Sequence, residues 1–129
     1  MSKTKTIKQS YEMKATPAEV FKALTDPKII TKWSGAPAKM SARKGAKFEL
    51  WGGDMFGKNL EVVKDKKLVQ EWCTHTFSSK ATFTIKAKGK NSVVDLVHEN
   101  VPANSYKNYS DGWKQYYLGS MQQMFEENN

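Results

Sequence analysis

Large side chains at helical spacing close the chain: Trp113, Tyr117, Met121 and Met124, with Tyr116 and Phe125 beside them. That spacing puts the first four on one face of a long helix. A face so rich in rings has to be buried against something broad. The strand-like runs before it supply the obvious surface.

Those runs can be followed from the start. Ile7, Gln9, Tyr11 and Met13 alternate with Lys8, Ser10 and Glu12, the pattern of a half-buried strand. Thr16-Pro17 then reads as an N-cap followed by proline in the first helical position, and Glu19 completes a capping box. Val20, Phe21 and Leu24 form the apolar face of this helix. Asp26-Pro27 repeats the device and opens a second short helix through Ile29, Ile30 and Trp33, ended by Ser34-Gly35-Ala36-Pro37. Six strand-like runs are expected next: Lys39 to Arg43, Ala46 to Trp51, Lys58 to Lys64, Leu68 to Thr76, Lys80 to Lys88 and Ser92 to Glu99. The turns between them are short, at Lys44-Gly45, Gly52-Gly53-Asp54, Asp65-Lys66-Lys67 and Gly89-Lys90-Asn91. Val101-Pro102 is expected to stop the sheet, with the long helix starting within residues 103–111. Short turns imply a meander of antiparallel neighbours. The predicted architecture is therefore α+β: a helix-grip fold in which a curved antiparallel sheet of six or seven strands wraps a long C-terminal helix, with two short helices after the first strand.

At 129 residues, 39% hydrophobic and 12% aromatic, the chain is expected to be a single folded domain over residues 1–129. No apolar run approaches the ~18 residues of a membrane span, and the polar, basic start does not read as a secretory signal. Cys73 is the only cysteine, so no internal disulfide forms, and the cytoplasm is the default location.

The net charge of +8 is unevenly placed. Residues 1–48 carry eleven Lys and Arg against three acids, whereas residues 49–129 carry ten of each. All but Arg43 of the cations are lysines, while base-edge and bidentate phosphate recognition favour arginine. No helix-turn-helix, zinc-finger or RNA-recognition signature is present, so nucleic acid is not the expected partner. A solvated lysine surface is the plainest reading. The sharper one makes Lys39, Arg43, Lys44 and Lys47 a face for an acidic protein partner.

The inward positions offer a candidate ligand cavity between sheet and helix. Trp33, Phe48, Trp72, Phe83, Leu96, His98, Trp113, Tyr117 and Met121 are its expected lining. Rings around a curved sheet either fill the interior or line a cavity, and both remain open here. His75 and His98 are the only histidines, so no metal site is expected. His98 reads either as a hydrogen-bonded core residue or as a polar anchor or acid/base. Glu49, Glu71, Asp95 and Glu99 are expected to point outward, leaving no interior acid pair and no recognisable catalytic set. Gly52, Gly53 and Gly57 lack the strand–loop–helix context of a phosphate loop and read as a flexible hairpin beside a pocket mouth. No cofactor is implied.

Six groups of residues follow one another in a specific order and spacing: Pro17-Ala18-Glu19-Val20-Phe21 with Leu24-Thr25-Asp26-Pro27; Gly45-Ala46-Lys47-Phe48-Glu49-Leu50 with Gly53 and Gly57; Leu68-Val69-Gln70-Glu71-Trp72; Ala81-Thr82-Phe83-Thr84-Ile85; Val101-Pro102; and Gly112-Trp113 with Tyr116-Tyr117. Together they resemble the activator-of-Hsp90-ATPase homologue family of the START, or birch-pollen-allergen-like (SRPBCC), superfamily. The similarity runs from about Thr4 to Phe125 and looks closest to the C-terminal domain of the co-chaperone. The resemblance implies a non-enzymatic, co-chaperone-like interaction domain with the 90 kDa heat-shock chaperone as partner. Within the family, a separate N-terminal domain makes a principal contact with the chaperone, and this sequence has no room for it. Wider superfamily members hold apolar ligands between sheet and helix, which implies an alternative role as a small apolar-ligand binding or carrier domain. A monomer is expected, because the outward strand faces are polar.

Overall fold

The computed structural model describes residues 3–127. Seven strands form one antiparallel sheet: β1 (Thr4–Met13), β2 (Ala38–Lys39), β3 (Lys47–Leu50), β4 (Met55–Val63), β5 (Lys67–Cys73), β6 (Ser78–Lys88) and β7 (Asn91–Pro102). Their order is β1-β7-β6-β5-β4-β3-β2, a meander whose last strand pairs with the first. Helices α1 (Pro17–Thr25) and α2 (Pro27–Ser34) carry the chain from one edge of this sheet to the other. The C-terminal helix is built from α3 (Tyr106–Gly112), a π turn (Trp113–Tyr117) and α4 (Leu118–Glu127).

The local signals explain the helix starts. Thr16 accepts from the Glu19 backbone N–H at 3.2 Å while the Glu19 carboxylate accepts from the Thr16 backbone at 3.0 Å, a complete capping box. Asp26 caps α2 through the Lys28 N–H at 2.9 Å, and Gly35 ends it in the left-handed conformation. The two helices are pinned together by the Trp33 indole, which donates to the Ala23 carbonyl at 2.9 Å.

Inward residues line up across the strands in rows. One runs Phe48–Gly57–Trp72–Ser79, the next Asn59–Gln70–Ala81–His98–Ile7, and a third Leu68–Phe83–Leu96. Gly57 is required in the first row. A Cβ there would lie 1.7 Å from the Glu71 carbonyl oxygen and 3.1 Å from the Phe48 ring. The outward rows carry charge, as expected: Glu49, Glu71, Asp95 and Glu99 all face away from the core, with Lys39–Glu49, Lys80–Glu99 and Lys86–Asp95 ion pairs across strands. One extra residue in β4 at Leu60, and another in β7 beside Asn100 (φ 63°), bend the sheet.

Three local expectations are corrected. Lys39 to Arg43 is not a strand beyond Lys39. Met40 turns inward, and the Asn59 side chain takes the Ser41 and Arg43 carbonyls at 2.7 and 2.9 Å in place of a ladder. The last strand does not end at Glu99: it continues past a bulge at Asn100 to pair Val101 and Pro102 with Lys5 and Thr4, and the sheet stops at Pro102 as expected. On the C-terminal helix Met124 is only half-buried, while Leu118 and Phe125 join Trp113, Tyr117 and Met121 in the core. The π turn, with the Leu118 N–H on the Trp113 carbonyl, adds a residue that displaces the buried face.

Candidate functional site

Where the C-terminal helix crosses the open end of the sheet, the interior is not filled. A largely apolar cavity of about 320 Å³ lies there, at the small end of the ~300–1,000 Å³ range typical of ligand pockets. Trp72, Trp113 and Tyr117 form its inner wall; Tyr109, Gly112 and Asn108 contribute from the helix; Ser34, Trp51, Met55 and Tyr116 close the rim. Tyr116 is 64% exposed, so the cavity opens to solvent beside it.

The wall is a cluster of rings in edge-to-face and tilted contact. Trp72–Trp113 and Trp113–Tyr117 centroids are each 4.8 Å apart, and Trp72–Tyr117 5.3 Å. Such pairs contribute about 0.5–1.5 kcal/mol each beyond area burial. Burial holds the Tyr117 phenol far above its ordinary pKa, so it is a hydroxyl and not a phenolate. That hydroxyl is buried and has no hydrogen-bond partner among the described residues. At the rim, Trp51 has φ 52°, a conformation bulky residues rarely adopt, and its ring faces Tyr117 at 6.2 Å.

Six of the nine residues expected to line a cavity lie outside its wall. Trp33, Phe48, Phe83, Leu96, His98 and Met121 are buried in the packed core behind it. His98 is fully engaged. The Trp113 indole N–H donates to its Nδ1 at 3.1 Å, so that nitrogen carries no proton. Ser79 gives its single hydroxyl proton to the Trp72 carbonyl at 3.0 Å and therefore accepts from His98 Nε2–H at 2.7 Å. Desolvation pushes the imidazole pKa down to about 4, which keeps the ring neutral at pH 7. Both nitrogens are occupied and the ring is inaccessible, an arrangement suited to orienting Trp113. The rim residues Ser34, Trp51, Met55, Asn108, Tyr109 and Tyr116 were not read from the sequence; the Gly52-Gly53 turn after Trp51 was the one signal pointing there.

The four basic candidates lie together beside β3. Lys39 pairs with Glu49 at 3.2 Å, with both side chains largely in solvent. Arg43, Lys44 and Lys47 are exposed, and no ion pair holds them among the described residues. Lys47 stands directly opposite Lys58 on β4, a like-charge cross-strand pair that disfavours the sheet locally. Among the described residues, no group of three or more His, Cys, Asp and Glu side chains could hold a metal ion. Nor, among them, is any helix long and apolar enough to cross a membrane.

Residues 14–126 match the family described as activator of Hsp90 ATPase homolog 1-like protein. The chain belongs to this family. A human relative, activator of 90 kDa heat shock protein ATPase homolog 1, is 27% identical over 114 residues, covering 85% of this chain and 34% of that protein. The homolog from Dictyostelium discoideum is 25% identical over 127 residues, 95% of this chain and 33% of its own length. The chain thus spans about a third of the curated relatives it matches. Among solved structures, an HSP90 activator from Plasmodium falciparum superposes with TM-score 0.85 at 25% identity, covering 92% of this chain and 94% of that one. The Aha1 dimer from Colwellia psychrerythraea, 17% identical over 95% of this chain and 96% of its own, shares the fold with TM-score 0.84.

Proposed function

We propose that this chain acts as one co-chaperone-like domain that docks non-enzymatically on the 90 kDa heat shock protein through the edge formed by Lys39, Arg43, Lys44 and Lys47, and that it does so as a cytoplasmic monomer. The observation that carries this reading is the basic edge itself. Three exposed cations lack ion pairs among the described residues, and Lys47 faces Lys58 at a cost to the sheet. Unpaired like charges kept on one edge suit an acidic partner surface. Family membership, and relatives whose names assign them activation of that chaperone's ATPase, support the choice of partner.

The test is a titration of the chain against the chaperone from the same cell, at two salt concentrations. Charge reversal at Lys39, Arg43 and Lys47 should weaken binding about tenfold or more at low salt and flatten its salt dependence. Equal affinity for wild type and variant would remove the basic edge from the reading. A second reading, a small apolar-ligand binding domain, is favoured by the open aromatic cavity.

A further inference from the structure

We propose that the chaperone is held on the outward face of β3 and β4, by an acidic segment whose central apolar side chain packs on Phe56 between Lys39, Lys47 and Lys58. This rests on the chaperone-docking reading and adds the centre of the contact, on the side of the sheet away from the aromatic cavity.

Strand alternation builds the site. Phe48 and Gly57 are paired directly across β3 and β4. The Phe48 ring is buried in the core and Gly57 has no side chain, so their backbone floors a hollow of about 290 Å³ on the outward face. Their neighbours in the chain stand around it: Lys47 and Glu49 from β3 and Phe56 from β4, with Lys39 from β2. Lys58 lies just beyond, opposite Lys47. Phe56 is the one aromatic side chain on the outward face of the described strands. It is half-buried, and its ring lies 5.7 Å from that of the exposed His75.

Charge selects the occupant. The cations of β5 and β6 are all satisfied within this chain: Lys67 by Glu61, Lys80 by Glu99, Lys86 by Asp95 and Lys88 by Glu12. Lys47 and Lys58 are not. They face each other across β3 and β4, and although Glu71 stands opposite Lys58 on β5, no ion pair holds either lysine among the described residues. Glu49 is already held by Lys39 at 3.2 Å. Carboxylates of a partner supply what this corner lacks, and they relieve the Lys47–Lys58 repulsion at the same time. A second copy of this chain centred on the same hollow would bring lysine against lysine. The hollow takes a single side chain, and Phe56 provides the ring for it to pack on. An aromatic centre with a charged rim is where binding energy concentrates in an interface.

Cys73 provides a reporter. It is the only cysteine in the chain, half-buried, and stands opposite Phe56 on the same outward face. Its alkylation by iodoacetamide, followed by the mass of this chain, should slow severalfold when the 90 kDa heat shock protein from the same cell is added in excess. An unchanged rate in a formed complex would overturn the proposal, as would protection that grows with the concentration of this chain alone, the mark of self-association. The whole chain and two variants would also be titrated calorimetrically against the chaperone at two salt concentrations. Phe56→Ser should weaken binding about tenfold or more and leave its salt dependence intact, whereas Lys58→Gln should weaken it severalfold and flatten that dependence. If Phe56→Ser misfolds, the exposed Lys58→Gln and the wild-type Cys73 rate decide. Wild-type affinity in both variants, with the Lys39, Arg43 and Lys47 charge reversal still weakened, would overturn the Phe56-centred face and leave the basic edge standing. Absence of binding by the wild type would overturn both.

Discussion

At pH 7 the His98 ring is neutral, with Trp113 donating to one nitrogen and Ser79 accepting from the other. Its pKa, about 4 in the folded chain against the ordinary 6.5, fixes a pH window. The unfolded chain takes up this proton first as pH falls, so the stability tied to His98 declines from about pH 6.5 to about pH 4 and is level below that. The whole effect is on the order of 3 kcal/mol. The Glu12 carboxyl is likewise held below its usual pKa, first by hydrogen bonds from Lys88 and Asn91, so its contribution is lost in the same direction but at lower pH, as the pH falls through and below the usual carboxylate range. Urea unfolding at pH 7 and pH 4.5 reads the His98 term. His98→Leu should flatten the difference between the two pH values and cost about 1–3 kcal/mol at pH 7, since the Trp113 N–H and the Ser79 hydroxyl oxygen lose their partner. A variant with the wild-type pH slope would show that another group controls this window. The sequence put His98 on the inward face of its strand. It could not show that a neighbouring strand and a distant helix each take one ring nitrogen.

Among the elements, the C-terminal helix departs most from its sequence pattern. Four-residue steps from Trp113 were legible, but ordinary helical counting then favours Met124, whereas the structure buries Leu118 and Phe125. The cause is the π turn at Trp113–Tyr117, and Gly119 is what permits it. A Cβ at 119 would lie 1.7 Å from the Lys114 carbonyl oxygen. Gly119→Ala should therefore destabilise the protein by ~2 kcal/mol or more, against the ~1 kcal/mol that alanine normally gains over glycine in a helix. If the turn instead tightens to α-helical, the segment before it rotates by roughly 100° and Trp113 leaves His98. Thermal unfolding and near-ultraviolet circular dichroism would detect either result. Gly112→Ala, where a Cβ meets nothing, should raise the melting temperature and serves as the control. Equal stabilisation by both substitutions would exclude a special role for Gly119.

Across the whole molecule, a buried polar chain ties the basic loop to the cavity wall. The Trp72 indole donates to Gln70 Oε1 at 2.9 Å, Gln70 Nε2 donates to Asn59 Oδ1 at 3.0 Å, and Asn59 Nδ2 donates to the Ser41 and Arg43 carbonyls. These side chains are buried and satisfied, so removing one member leaves several groups unpaired at once. Asn59→Leu should cost about 2–4 kcal/mol and free the loop before β3. Limited trypsin digestion would then show faster cleavage after Arg43 or Lys44 than in wild type; an unchanged rate would mean that the loop is held elsewhere. Strand and helix order, both proline-started helices, the outward acids and the aromatic core are legible along the chain, because caps and periodicity are local. Met40, Asn59, Gln70 and Ser79 owe their roles to partners on other strands, and the cavity lies among residues up to 83 positions apart, from Ser34 to Tyr117. Whether rings from α2, the Trp51 turn and the C-terminal helix fill their space or leave it open depends on how curved sheet and helix meet. That geometry is set by bulges, a π turn and the close approaches at Gly57 and Gly119, which join segments far apart in the chain and leave no local pattern.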